Sequence, residues 1–104
     1  MKVRQIARDN ERLVALVTRA VDDAAIPGQR RGNPEILHFA WSQAWEVEAS
    51  LSICDDGTVE VGWPSMSGSP AAARAALALS SRVADLACLI EAIIARENKS
   101  TRAS

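Results

Sequence analysis

Glu46-Val47-Glu48-Ala49-Ser50-Leu51-Ser52-Ile53-Cys54-Asp55-Asp56-Gly57-Thr58-Val59-Glu60-Val61-Gly62-Trp63 decides how this chain is read. From Glu46 the apolar residues recur every second position, the period of a strand with one buried face. Val47, Ala49, Leu51 and Ile53 fall on one side, with Glu48, Ser50 and Ser52 on the other. Asp55-Asp56-Gly57 supplies a three-residue turn with glycine at its left-handed position. The return strand then sets Ile53 opposite Val59, Leu51 opposite Val61 and Ala49 opposite Trp63 on the apolar side, with Ser52 opposite Glu60 on the wet side. The segment therefore predicts an antiparallel hairpin, with strands over about 46–54 and 58–63.

A hairpin alone is marginal in water, so other elements must cover it. Downstream, Trp63-Pro64-Ser65-Met66-Ser67-Gly68 is rich in turn formers, and Ser69-Pro70 is a helix start with a capping hydroxyl followed by proline at the first helical position. A long Ala-rich helix is predicted over about 70–97, with a polar frayed tail over 98–104. Ala72, Ala76, Leu79, Val83, Leu86, Ile90, Ile93 and Ile94 share one arc, which belongs on the hairpin. The opposite arc carries Ala73, Leu77, Ser81, Ala84, Cys88 and Ala95. Small residues at this spacing admit a second backbone, which makes Leu77, Ser81, Ala84 and Cys88 candidate interaction residues.

Upstream, Val3, Ile6, Leu13, Val17, Ala20 and Ala24 recur at helical spacing and predict a first helix over about 2–25, ended by Ile26-Pro27-Gly28. Gln29-Arg30-Arg31-Gly32 reads as a loop. Asn33-Pro34-Glu35 has the composition of a helix start, which favours a short helix over about 34–44. Leu37, Phe39 and Trp41 also alternate with His38 and Ala40, so a strand competes for the same residues. On the helical reading Trp41 and Trp45 lie one turn apart near Arg30 and Arg31. Exposed, they form a protein hot spot or a stacking platform for single-stranded nucleic acid; buried, they are core anchors.

The expected architecture is a single α+β domain over 1–97, two or three helices on an antiparallel hairpin. At 104 residues the chain can bury about two-thirds of its unfolded surface. A formal charge of −1 and a pI near 5.8 provide no global field for nucleic acid or anionic lipid. The N-terminus lacks the apolar run of a signal peptide, and Val83 to Ala95 is too short and too charged to span a bilayer, which predicts a cytoplasmic protein. Cys54 and Cys88 are too few for a disulfide framework or zinc site. His38 is the single histidine, and a Cys54–His38 nucleophile–base pair would lack an orienting third group. No catalytic, metal or cofactor site is expected.

The run Val59-Glu60-Val61-Gly62-Trp63-Pro64-Ser65, then Gly68-Ser69-Pro70 and a helix through Ala84-Asp85-Leu86-Ala87, resembles small phage and prophage accessory proteins. The likeness covers the last half of the chain and carries no functional residues across. It implies a protein acting by contact rather than chemistry, as do phage-type inhibitors of host defence complexes such as anti-CRISPR proteins. The leading expectation is a non-enzymatic interaction module that self-associates as a homodimer through the last helix or the hairpin edge, with an inhibitor of a foreign protein and a small nucleic-acid-binding regulator as alternatives.

Overall fold

A computed structural model describes residues 11–54, 57–65 and 68–103, with side chains for all of these except 34 and 98–103. In it the alternating segment is the expected hairpin. Its strands run over Val47–Ile53 and Val59–Gly62, with Leu51 opposite Val61, Ser52 opposite Glu60 and Ile53 opposite Val59. The turn closes as predicted, the Cys54 N–H donating to the Thr58 carbonyl at 2.8 Å and the Gly57 N–H to the Cys54 carbonyl at 3.0 Å. The strand stops one residue short of Trp63, so the expected Ala49–Trp63 pair does not form and Trp63 is 56% exposed.

In chain order the elements are helix α1 (Glu11–Ala24), strand β1 (Gln29–Asn33), strand β2 (His38–Gln43), strands β3 (Val47–Ile53) and β4 (Val59–Gly62), and helix α2 (Pro70–Ala103). The part of the first helix predicted before Glu11 lies outside the described residues. A single 3₁₀ turn at Pro34–Ile36 precedes β2, and a turn over Ala44–Glu46, left-handed at Trp45 and Glu46, precedes β3. Among the described residues the strands form one antiparallel sheet in the order β1-β2-β3-β4. This α+β arrangement places both helices on one face of the sheet, with Leu13 and Val17 of α1 and Leu79, Val83 and Ile90 of α2 in one core with the strand residues.

Residues 34–44, expected as a short helix, hold one 3₁₀ turn followed by β2. The start signal was genuine, for Asn33 Oδ1 accepts the Glu35 N–H at 3.0 Å. Tertiary burial then overrides it. As a strand the segment sends Phe39 and Trp41 into the core, both 1% exposed, and gains backbone partners on two sides. Ile36, which a helical stripe would have buried, is left exposed. Gln29-Arg30-Arg31-Gly32, expected as a loop, belongs to β1. As an edge strand it is exposed throughout and carries no hydrophobic alternation to betray it. Gly28 lets it lie flush, since a Cβ there would fall 2.6 Å from the Ser42 carbonyl oxygen.

Capping at the start of α2 follows expectation: Ser69 Oγ accepts the Ala72 N–H at 3.1 Å. The helix continues past Glu97 to Ala103. Its 34 residues, at about 1.5 Å each, account for the 52 Å long axis of the molecule. Arg12 pairs with Glu97 at 3.3 Å, tying the two helices together.

Three junctions use the left-handed backbone without glycine. Leu37 (φ 53°), the adjacent Trp45 and Glu46 (φ 67° and 58°) and Ala25 (φ 49°) each adopt a conformation that costs an L-residue about 1–2 kcal/mol. Leu37 recovers this through complete burial, which for such a side chain stabilises by about 1.5–3 kcal/mol. Trp45 is 63% exposed and Ala25 is exposed, so neither is repaid by the core. Urea unfolding should therefore find Trp45→Gly and Ala25→Gly more stable than the parent by about 1 kcal/mol each. Leu37→Gly relieves the same strain yet should lose about 2 kcal/mol or more, because it empties a core site.

Candidate functional site

Alternation along the strands divides the sheet into two unlike faces. The inner face carries Phe39, Trp41, Val47, Ala49, Leu51 and Ile53 and is covered by the helices. On the outer face His38 stands opposite Ser52, Ala40 opposite Ser50 and Ser42 opposite Glu48, the Ser42 hydroxyl lying 3.2 Å from a Glu48 carboxylate oxygen. That face is small and polar, and neither helix of the described residues lies on it.

The helices divide the inner face between them. The Asp22 carboxylate on α1 receives the Arg30 guanidinium of β1, and α1 touches the turn that joins β1 to β2. α2 packs on β3 and β4. The flank of α2 toward α1 is marked by Arg82, Leu86 and Leu89, which line a crevice with Ala20 and Ala24. By helical geometry the other flank, toward β4, carries Ala73, Leu77, Ser80 and Ala84. No charged residue interrupts it between Ala73 and Cys88.

The residues singled out on α2 thus lie outside the chain's own core. Leu77 is 58% exposed, Ser81 and Cys88 are exposed, and Ala84 is half-buried. The tryptophan pair is not brought together: Trp41 is a core anchor in β2, while Trp45 stands exposed on the turn before β3. Their separation removes the shared platform expected of a helical segment. Arg30 and Arg31 are likewise divided by the strand alternation, Arg30 turning to Asp22 and Arg31 standing opposite Ala40 on the outer face. Cys54 is half-buried at the hairpin and His38 half-buried on β2. Among the described residues no group of three His, Cys, Asp or Glu could hold a metal ion, and no helix is long and apolar enough to cross a membrane.

The hairpin edge expected as a seam is the β4 side: among the described residues β4 pairs with β3 alone, so they leave its other edge open. The Cys54–Thr58 bond fixes which groups face outward. Antiparallel pairs alternate, so Thr58, Glu60 and Gly62 direct their backbone groups at β3, and Val59 and Val61 direct theirs away from it. The bond from the Ile53 N–H to the Leu37 carbonyl at 3.1 Å, on the far side of β3, obeys the same alternation. Val59 and Val61 are half-buried, and Trp63 follows at the end of the edge. β1, the other edge, is protected by contrast with Arg30 and Arg31 and by glycines at φ 111° and 119°.

A second depression, of about 460 Å³, lies between Trp45, Val47, Ser69 and Ala72 at the start of α2. A third, about 790 Å³ and shallow, runs along α1 from Glu11 to Asp22, and Asp22 and Asp23 on its rim are already engaged by Arg30 and Arg19. No protein-family model matches the chain, and neither a curated protein nor a solved structure matches it.

The division of labour along α2 is open to test at low protein concentration. Leu77→Ala should change unfolding stability by no more than about 0.5 kcal/mol, whereas Leu79→Ala, two residues away and buried, should cost about 2–5 kcal/mol.

Proposed function

We propose that this protein is a non-enzymatic protein–protein interaction module that self-associates through the β4 edge and the adjoining flank of α2. The observation that carries this reading is the continuity of the two features. An unpaired strand edge with uncharged residues is a template for another strand, and soluble proteins ordinarily protect such edges with charge, proline or a covering element. β4 presents Val59 and Val61 there, with Trp63 just past its end, Glu60 being its one charge, and it directs that charge to the outer face. Beside it, exposed Leu77 and the small residues of α2 offer a surface to which a second helix can approach closely. Leaving Trp63 and Leu77 in water forgoes apolar burial of roughly 25 cal/mol per Å².

Cytoplasmic placement belongs to the same proposal and is supported by Cys54 and Cys88 both standing as thiols rather than in a disulfide. An inhibitor role of the phage accessory kind would use the same surface on a foreign protein. The nucleic-acid reading draws less support, since Arg30 is committed to Asp22 and Trp41 to the core.

Light scattering behind size exclusion tests the proposal. Twice the 11.2 kDa chain mass is expected at micromolar concentrations, falling toward the single chain on dilution. Leu77→Arg should lower the dimer fraction at fixed concentration by tenfold or more. A single-chain mass at every concentration up to the millimolar range contradicts self-association.

A further inference from the structure

We infer that the second copy pairs β4 antiparallel to β4 about a two-fold axis through Val61, so that the sheets of two subunits become one. This rests on the self-association proposed above and specifies its geometry. A two-fold axis perpendicular to the sheet preserves its faces, so a residue on the inner face must oppose an inner-face residue of the second copy. Two central registers satisfy this. One sets Glu60 against its own symmetry mate; the other sets Val61 against its mate, Glu60 against Gly62 and Val59 against Trp63.

Charge and volume decide between them. The first register juxtaposes two carboxylates directly across a strand pair, which is destabilising. In the second, each Glu60 meets a glycine, and the carboxylate has room to turn to water. Glycine at 62 serves within the subunit as well: a Cβ there would run into the Ser50 hydroxyl. The second register also lays exposed Trp63 along Val59 of the second copy, a large side chain beside a β-branched one on the apolar side. Val59, Val61 and Trp63 are the positions whose backbone groups alternate outward, so the three pairs they form exchange about six hydrogen bonds. Pro64, which lacks an N–H, falls at an inward-directed position and removes nothing from this ladder.

The helices fit the same arrangement. α2 rides over β3 and β4, so two copies of α2 stand about two strand spacings apart, roughly 10 Å. Packed helices prefer about 8–10 Å, and the lower end of that range requires small side chains at the contact. The flank turned toward the second copy supplies Ala73, Ser80 and Ala84, with Leu77 at its margin.

Cysteine cross-linking reads the register. In a background of Cys54→Ser and Cys88→Ser, single variants Val61→Cys, Glu60→Cys and Val59→Cys are oxidised with copper-phenanthroline, their folding checked by circular dichroism and their mass by light scattering. Val61 and its mate stand about 5.5 Å apart at Cα in a hydrogen-bonded pair, inside the roughly 4.4–6.8 Å a disulfide spans. Val61→Cys should yield at least tenfold more covalent dimer than either other variant. Cross-linking of Glu60→Cys in preference to Val61→Cys overturns the register. A dimeric mass with no cross-link at any of the three positions overturns the β4–β4 interface while leaving self-association standing. A monomeric mass throughout overturns both.

Discussion

Everything in this molecule hangs on the burial of one sheet face. Phe39 and Trp41 from β2 and Ala49 and Leu51 from β3 form the centre of the core, and each lies on a central strand whose alternation commits the intervening residues to the opposite face. A one-residue slip in either strand would exchange the two sets, so the register is fixed by the hydrophobic effect rather than by the turns. The turns conform to it. Leu37 enters the left-handed region because the β1–β2 connection and its own burial both demand that position. Among the described residues two helices cover the inner face, and α2 alone spans the molecule's length.

Covering one face with two helices leaves asymmetric edges. At β1 the chain arms the edge with Arg30 and Arg31, and the Arg30–Asp22 pair clips it to α1. That exposed pair is worth little energy, since solvent screens it, and its role is to orient the strand. At β4 the described residues supply no such protection. The same side of the molecule gathers an exposed tryptophan, an exposed leucine and an uncharged run of helix. An edge left apolar in this way is the one that the proposed self-association would cover.

How much of this could be read from residues alone follows from where burial leaves a trace. The β3–β4 hairpin was legible because both strands alternate over a turn of defined chemistry. The apolar stripe of α2 and its Ser69 cap were legible for the same kind of reason. Residues 34–44 misled because Asn33-Pro34-Glu35 carries a true local start signal, while the decision between helix and strand lay with neighbours, β1 and β3, that only the tertiary structure supplies. β1 was invisible because an edge strand exposed on both sides has no periodic signature. Of the candidate site, the α2 flank could be found from small-residue spacing. A hairpin edge was expected as the other seam, but that β4 rather than β3 would be the open strand could not be read, since which strand of a sheet lies outermost is a property of topology.

The central claim is that the outward backbone groups of β4 are bonded to a second copy. Residue-resolved amide hydrogen exchange addresses it directly. In an isolated subunit the Glu60 and Gly62 amides are held by β3, while those of Val59, Val61 and Trp63 face water. The account predicts that Val59, Val61 and Trp63 become protected at high protein concentration and lose that protection on dilution, while β3 amides stay slow throughout. Exchange of those three amides at the unprotected rate at every concentration, beside a fully protected β3, would contradict it.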